Sequence, residues 1–430
     1  MGSCVGKNSR ESRVVSQART APSTPIWSSR NASREFETVV TREWGVPQSA
    51  RMSVNPSPSP SEGGRSGIGS GSKSLQMDLA PLFRRPVGRV IRSFRPVTAE
   101  SLRAALEAFI MRGETDDLCL LLFVGADIDG FVDGQTALMR AIDARSSSAV
   151  RVLVEAGANL ELQCVGGALG GETALHLACR TEQPEVGKFL LSMGANCNAE
   201  TAEGWRALHL AAFSGWLGLV RSLLLHGAEL HAKSFYGDTA LHRSVFGGQR
   251  AVTELLLDRG ARVNEKGEND TTPLFYTVLP RAGGQELTDN RDIAELLLSR
   301  GADANAKESV RGRTVLHEAA CWGSADVVQA LLVKGGADVH ATSKCGCTAL
   351  HYSAFRVKLM NECGVDMKKK LEIAKTLVSH GVDVKAVDNL GMSASRVAEM
   401  YLAADSPIRT FLAEVTQGQS APLSGKAVAT

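Results

Sequence analysis

Between residues 208 and 227 the apolar positions follow a helical period. Leu208, Ala211 and Ala212 form one short stripe, and Leu219, Val220, Leu223 and Leu224 form a second at three- to four-residue spacing. Gly215 separates them as a turn, and Gly227 stands where a glycine commonly ends a helix. The stretch therefore predicts helix–turn–helix followed by an extended finger.

The same unit recurs. Thr173-Ala-Leu-His176, Arg206-Ala-Leu-His209, Thr239-Ala-Leu-His242, Thr314-Val-Leu-His317 and Thr348-Ala-Leu-His351 are the clear copies of one phrase. Thr136-Ala-Leu-Met139, Thr272-Pro-Leu-Phe275 and Ser393-Ala-Ser-Arg396 are weaker ones, and the spacings from 136 to 393 are 37, 33, 33, 33, 42, 34 and 45. A second phrase keeps step, from Gly125-Ala-Asp127 and Gly157-Ala-Asn159 to Gly336-Ala-Asp338 and Gly381-Val-Asp383. Departures from the period read as insertions: one within 280–290, one within 356–370 that ends in Lys368-Lys369-Lys370, and a finger lengthened at Gly166–Gly171. Such insertions map to loops, often on a binding face.

Motif and period together resemble the ankyrin repeat, over about residues 101–413. The resemblance implies an all-α ankyrin-repeat solenoid with short β-hairpin fingers. Its domain spans 99–413: an N-terminal cap at 101–131, repeats starting near 134, 171, 204, 237, 270, 312 and 346, and a C-terminal cap at 391–413. Residues 1–98 are expected to be a disordered basic tail rich in Ser, Pro and Gly, and 414–430 a disordered C-terminal tail. In this family the histidine of the phrase bonds locally and ties neighbouring repeats.

Composition separates the body from the tail. The chain has 430 residues, 43% hydrophobic and 22% charged, and no run approaches the ~18 apolar residues a membrane helix needs. Residues 1–100 hold 15 Lys and Arg against 7 Asp and Glu, whereas residues 101–430 hold 33 against 39. A basic tail is joined to a mildly acidic body. The first 75 residues carry 17 serines and lack apolar periodicity, so they cannot bury enough surface to offset chain entropy. Residues 79–97 interleave Leu, Phe, Val and Ile with Arg84, Arg85, Arg89, Arg92 and Arg95, which reads as a solvated lead-in or as a basic-apolar peptide for an anionic membrane or acidic partner. No secretory signal is expected. Nine scattered cysteines describe no disulfide framework and fit a reducing, cytoplasmic compartment.

The N-terminus reads Met1-Gly2-Ser3-Cys4-Val5-Gly6-Lys7. It is similar to the dual-acylated leaders of plant calcium-dependent kinases and Src-type kinases, which implies myristate on Gly2 and palmitate on Cys4 and hence peripheral membrane association. Gly6 departs from that pattern, where Ser or Thr is preferred. An unmodified tail and an organellar transit peptide are the competing readings, since the first 34 residues are rich in Ser and Arg.

No catalytic constellation emerges, and the chain is expected to be a non-enzyme without cofactor or metal. One motif histidine per repeat spaces the rings beyond a shared coordination sphere of ~2.1 Å. Cys345-Gly-Cys347, Cys179 and Cys321 lack further ligand pairs, and no Gly-x4-Gly-Lys-Ser/Thr loop occurs. The expected function is a protein–protein interaction scaffold whose partner sits on the concave face of the solenoid. Alternatives are a substrate-recruiting adaptor subunit of an enzyme complex and a nucleic-acid-associated factor using the basic tail. The body's negative charge and a tail without interleaved aromatic platforms speak against nucleic acid.

By resemblance, the slot after the paired small residues of each first helix faces the partner. It holds Arg180, Phe213, Phe246, Leu279, Cys321 and Phe355, with Trp322 beside Cys321, and is apolar in five of six repeats. The fingertip residues Trp205, Phe235 and Tyr236 would extend the row into an exposed stripe of aromatic anchors. Packing between repeats that hides these rings is the alternative.

Overall fold

The structure, a computed structural model, describes residues 99–112, 118–119, 122, 126–165, 170–279, 290–355 and 367–418. The tail with Gly2 and Cys4, residues 166–169 of the Gly-rich stretch, and the insertions at 280–289 and 356–366 lie outside the described residues.

The described residues form sixteen α-helices and two 3-10 helices. After α1 (Ala99–Arg112) they come in pairs: α2 (Ala137–Asp143) with α3 (Ser147–Glu155), α4 (Ala174–Arg180) with α5 (Pro184–Ser192), α6 (Ala207–Ser214) with α7 (Leu217–Leu225), and α8 (Ala240–Phe246) with α9 (Arg250–Asp258). Beyond these, α10 (Arg291–Ser299) partners a 3-10 helix, Pro273–Thr277. The series ends with α11 (Val315–Trp322) and α12 (Ala325–Val333), α13 (Ala349–Ala354) and α14 (Met367–Ser379), and α15 (Ala394–Tyr401) and α16 (Pro407–Thr416).

The Thr-Ala-Leu-His phrase starts each first helix by capping it. The Thr173 N–H donates to Nδ1 of His176 at 3.2 Å, and the Thr173 hydroxyl lies 2.9 Å from the same nitrogen. A ring nitrogen that accepts from a backbone N–H carries no proton, so the proton sits on Nε2. That atom donates to the carbonyl of Trp205 in the next unit, at 3.2 Å. His209, His242, His317 and His351 repeat the arrangement toward the carbonyls of Ala232, Thr271, Cys347 and Met392. Each histidine thus caps its own helix and clips the following repeat.

The fifth unit departs from the expected helix pair. Phe275 stands where the histidine would be, so the reciprocal cap is missing and the buried Thr272 hydroxyl has no partner. Pro273 supplies no N–H, β-branched Thr277 and Val278 follow, and the segment stops as a 3-10 helix.

Second helices are amphipathic and bury one face, as Val252, Leu255 and Leu256 of α9 show. First helices stack on first helices, α6 on α8 and α11 on α13 on α15. A pair this small cannot cover its own apolar face, and stacking completes a ribbon-like core. Its two halves meet where Leu257 packs against both. Gly227 has φ +86°, the left-handed conformation that ends α7.

The fingers are minimal. Thr201 N donates to Trp205 O at 2.9 Å, Ser234 N to Asp238 O at 2.9 Å and Ser343 N to Cys347 O at 3.0 Å. Among the described residues strand-type pairing is confined to the isolated bridges Val132–Gln135 and Val387–Ser393. Successive fingers are joined instead by single backbone bonds, Phe235 N to Glu203 O and Lys344 N to Arg311 O. At the opposite edge Asn198, Asn264 and Asn305 bridge repeats, each amide donating to a glycine carbonyl and accepting a backbone N–H from the next unit. Helix α16 runs to Thr416, past the expected end at 413, with Leu412 buried and accepting from the Thr416 hydroxyl at 2.6 Å.

Candidate functional site

The first helices and the fingers share one face, and the sequence-predicted stripe divides there. Trp205, Trp322 and Phe355 are buried, which corrects their assignment to an exposed row. Trp205 lies between the rings of His209 and Tyr236 and donates to Glu203 Oε2 at 3.0 Å. Trp322 donates to Glu318 Oε2 at 3.2 Å, and Phe355 packs on Tyr401 at 4.9 Å between ring centroids. Cys321 of the same row is fully buried as well. Packing between repeats claims these side chains. Phe213, Phe246, Leu279 and Tyr236 are half-buried, and Phe235 is 74% exposed.

What organises this patch is a residue outside the predicted row. Arg243 follows the motif histidine, at the position that Leu177 and Leu210 fill in earlier repeats. One helical turn places Phe246 beside it, while Trp205 and Phe213 come from the preceding repeat. The guanidinium carbon lies 4.7 Å from the Trp205 ring, 4.9 Å from Phe213 and 5.4 Å from Phe246. Arg243 is 5% exposed, and burial holds its pKa below the usual guanidinium value. Among the described residues no carboxylate closes an ion pair on it. Asp238, fully buried, accepts from the Tyr276 hydroxyl through Oδ1 at 2.5 Å, while its Oδ2 is unpartnered. Burial and the Asp238 charge push the Tyr276 phenol well above its usual value.

A second charged group occupies the equivalent place two repeats on. Arg313 pairs with Glu318 at 2.8 Å and lies 3.5 Å from Glu308, and both carboxylates are buried. Here the ionic partners are supplied within the chain. Around Arg243 no carboxylate of the described residues comes within ion-pair distance, and only the charge of buried Asp238 acts on it from further off. The signal for both sites was a charge directly after the motif histidine, at Arg243 and Glu318.

The motif histidines have both ring nitrogens engaged in caps and clips, and burial lowers His176, His209 and His317 to about 4. They are therefore neutral at physiological pH. Among the described residues no three His, Cys, Asp or Glu side chains gather as metal ligands would, and no helix is long and apolar enough to cross a membrane.

Fold and face define a helical repeat protein whose stacked units offer an extended surface for association. The chain belongs to the ankyrin-repeat family: the family model described as Ankyrin repeats (3 copies) matches residues 104–201, 193–267 and 285–388. Ankyrin repeats form a protein–protein interaction domain, stacked into extended binding surfaces. Among curated relatives, BRCA1-associated RING domain protein 1 of Caenorhabditis elegans is 32% identical over 132 residues, 31% of this chain and 16% of that protein. The Nuclear factor NF-kappa-B p105 subunit of Gallus gallus is 42% identical over 62 residues, 14% of this chain and 6% of that protein. The matched segments thus span a small part of these relatives. The crystal structure of the human ASB11 ankyrin repeat domain aligns with TM-score 0.47 and 23% identity, over 58% of this chain and 99% of that one.

Proposed function

We propose that the solenoid is a non-enzymatic scaffold or adaptor whose protein partner places an acidic side chain on Arg243, on the concave face. The observation that carries this reading is the guanidinium framed by Trp205, Phe213 and Phe246 with no carboxylate paired to it. A charged hydrogen-bond donor held in an aromatic frame is desolvated in advance, so an arriving carboxylate gains a bidentate bond at small further cost. Phe235 and Tyr236 on the adjoining finger, with Leu279 on the other flank, supply the apolar surround. Arg243→Leu tests it, because leucine already fills this position at 177 and 210. Affinity capture by the full chain should lose its partner in Arg243→Leu while the thermal melt stays intact. Unchanged capture would rule this face out.

The scaffold reading extends to the tail as a membrane tether in the cytoplasm, with Gly2 myristoylated and Cys4 palmitoylated; its support is the Met1–Lys7 sequence. One myristoyl chain alone binds membranes at only about 10⁴ M⁻¹, so the second chain or the basic residues Lys7, Arg10 and Arg13 must contribute. Were the tail flexible, it would reach on the order of 50–60 Å. Gly2→Ala should move the protein from membrane to soluble fractions, and equal fractionation of the two forms would end the tether reading.

A further inference from the structure

The finger at 343–347 carries a pair of thiols that the interaction face does not use. Ser343 N donates to Cys347 O at 3.0 Å and Gly346 N to Ser343 O at 2.9 Å, which closes a tight turn with a cysteine on each side of Gly346. Gly346 has φ +78°, and a Cβ there would meet Asn389 N at 2.9 Å, so the turn requires glycine. The same turn at 201–205 brings the equivalent side chains into contact, where Trp205 Nε1 donates to Glu203 Oε2. In 343–347 both of those positions are cysteine, so the turn sets two thiols side by side across Gly346.

The surroundings are polar and fixed. Cys345 Sγ lies 3.0 Å from the Ser343 hydroxyl and 3.9 Å from that of Tyr352, and Cys347 Sγ donates to Asp388 Oδ2 at 4.0 Å. His351 is the further titratable group on which Cys345 acts, and Arg313 acts on the neighbouring Tyr352. The finger is clamped on both sides, by Lys344 N to Arg311 O and Asn389 N to Cys345 O. Cys345 is half-buried and Cys347 buried.

We propose that Cys345 and Cys347 are a hydroperoxide-sensitive dithiol that closes reversibly to a disulfide within the finger. Contact with Cys347, then the Ser343 and Tyr352 hydroxyls, lower Cys345 to about 5 against the opposing effect of burial, while the same contact, burial and the Asp388 charge raise Cys347. Cys345 is therefore the thiolate. It attacks one oxygen of hydrogen peroxide, the O–O bond breaks, and hydroxide leaves and takes up a proton as water, giving the sulfenic acid at Cys345. Cys347 releases its proton toward Asp388 and its sulfur attacks the sulfenic sulfur. The S–S bond forms, the S–O bond breaks, and the departing hydroxide takes that proton to become water. The two thiols together lose two electrons, which the peroxide gains. A bridge across a single intervening residue is strained, so thiol exchange with glutathione reopens it. Cys179 and Cys321 make the contrast: fully buried, they are pushed up to about 12 and 11 and stay inert.

The test treats the reduced full chain with hydrogen peroxide, then blocks free thiols by alkylation and maps peptides by mass spectrometry. The expected product links Cys345 to Cys347, forms ahead of modification at any other cysteine, and is lost on adding glutathione. In Cys347→Ser the reaction should stop at the sulfenic acid, trapped at Cys345 by dimedone, and in Cys345→Ser no rapid adduct should form. The proposal is overturned if both thiols remain alkylatable, if Cys345 bridges another cysteine, or if Cys119 reacts first.

Discussion

Nε2 of His317 lies 3.1 Å from the carbonyl oxygen of Cys347, thirty positions along the chain and one repeat away. The bond exists only while the ring is neutral with its proton on Nε2, because Nδ1 is committed to accepting from Thr314 N. Protonation would place a second donor against that N–H. Burial accordingly depresses the pKa of His317, and of His176 and His209, to about 4. A depressed folded pKa means that the unfolded chain binds the proton first, so stability is complete above the unfolded value of about 6.5 and is lost as pH falls toward 4. Each of the three histidines should cost on the order of 2 kcal/mol near pH 5. Urea midpoints measured from pH 7.5 down to 4.5 should fall steeply below 6.5, and a flat profile would contradict the capping geometry.

The capping threonines predict opposite responses to one substitution. Thr314 has its hydroxyl 2.8 Å from His317 Nδ1, whereas the Thr272 hydroxyl is buried without a partner above Phe275. Valine keeps the shape and removes the hydroxyl. Thr314→Val should lose about 1 kcal/mol, the usual worth of a helix cap. Thr272→Val should be neutral or stabilising by up to about 1 kcal/mol, since it removes an unsatisfied buried group. Equal losses at both sites would mean that the fifth unit is capped after all.

Much of this architecture is legible in the chain because the repeats report it several times over. The phrase from Thr173 to His176 marks a helix start, Gly227 a helix end, and their shared period the stacking. The face is less legible. A ring at Phe213 and a ring at Phe355 occupy the same slot, yet Phe355, 4.9 Å from Tyr401, is buried, whereas Phe213, 6.0 Å from Phe246, stays half-buried. Burial of a given ring depends on the side chain one repeat further on, which periodicity does not weigh. Arg243 is hidden for a different reason: a lone arginine in a helix usually reads as a solvated one, and only the rings of a neighbouring repeat make it otherwise.

The Arg313–Glu318 pair predicts strong coupling. Glu318→Leu places in the sixth repeat the residue already present at 177 and 210, yet it removes the 2.8 Å partner of a buried guanidinium and the acceptor of Trp322 Nε1. Breaking one side of a buried pair should cost about 3 kcal/mol, and adding Arg313→Met should recover most of it. A double-mutant cycle on denaturation midpoints measures the coupling directly. Additive losses would place the two charges in solvent.

Lys370 supplies the last prediction. It closes the run Lys368-Lys369-Lys370, which sequence reading assigns to the end of a surface insertion, and its two predecessors are exposed. Lys370 itself has no exposed surface, and its Nζ donates to the carbonyl of Phe355 at 2.5 Å and approaches that of Tyr352 at 3.5 Å. These carbonyls stand at the end of α13, a helix of six residues whose C-cap, Phe355, is already in extended conformation and offers no further backbone donor there. The ammonium group takes the place of the missing turn, so a short first helix can stop before the insertion and still satisfy its end. Lys370→Met keeps the aliphatic stem but removes the donor, and should lose about 1–3 kcal/mol, the cost of an orphaned buried acceptor. Lys369→Met, on the exposed neighbour, should change stability by less than about 0.5 kcal/mol. Chemical denaturation of the two variants side by side decides it, and equal behaviour would return Lys370 to the surface.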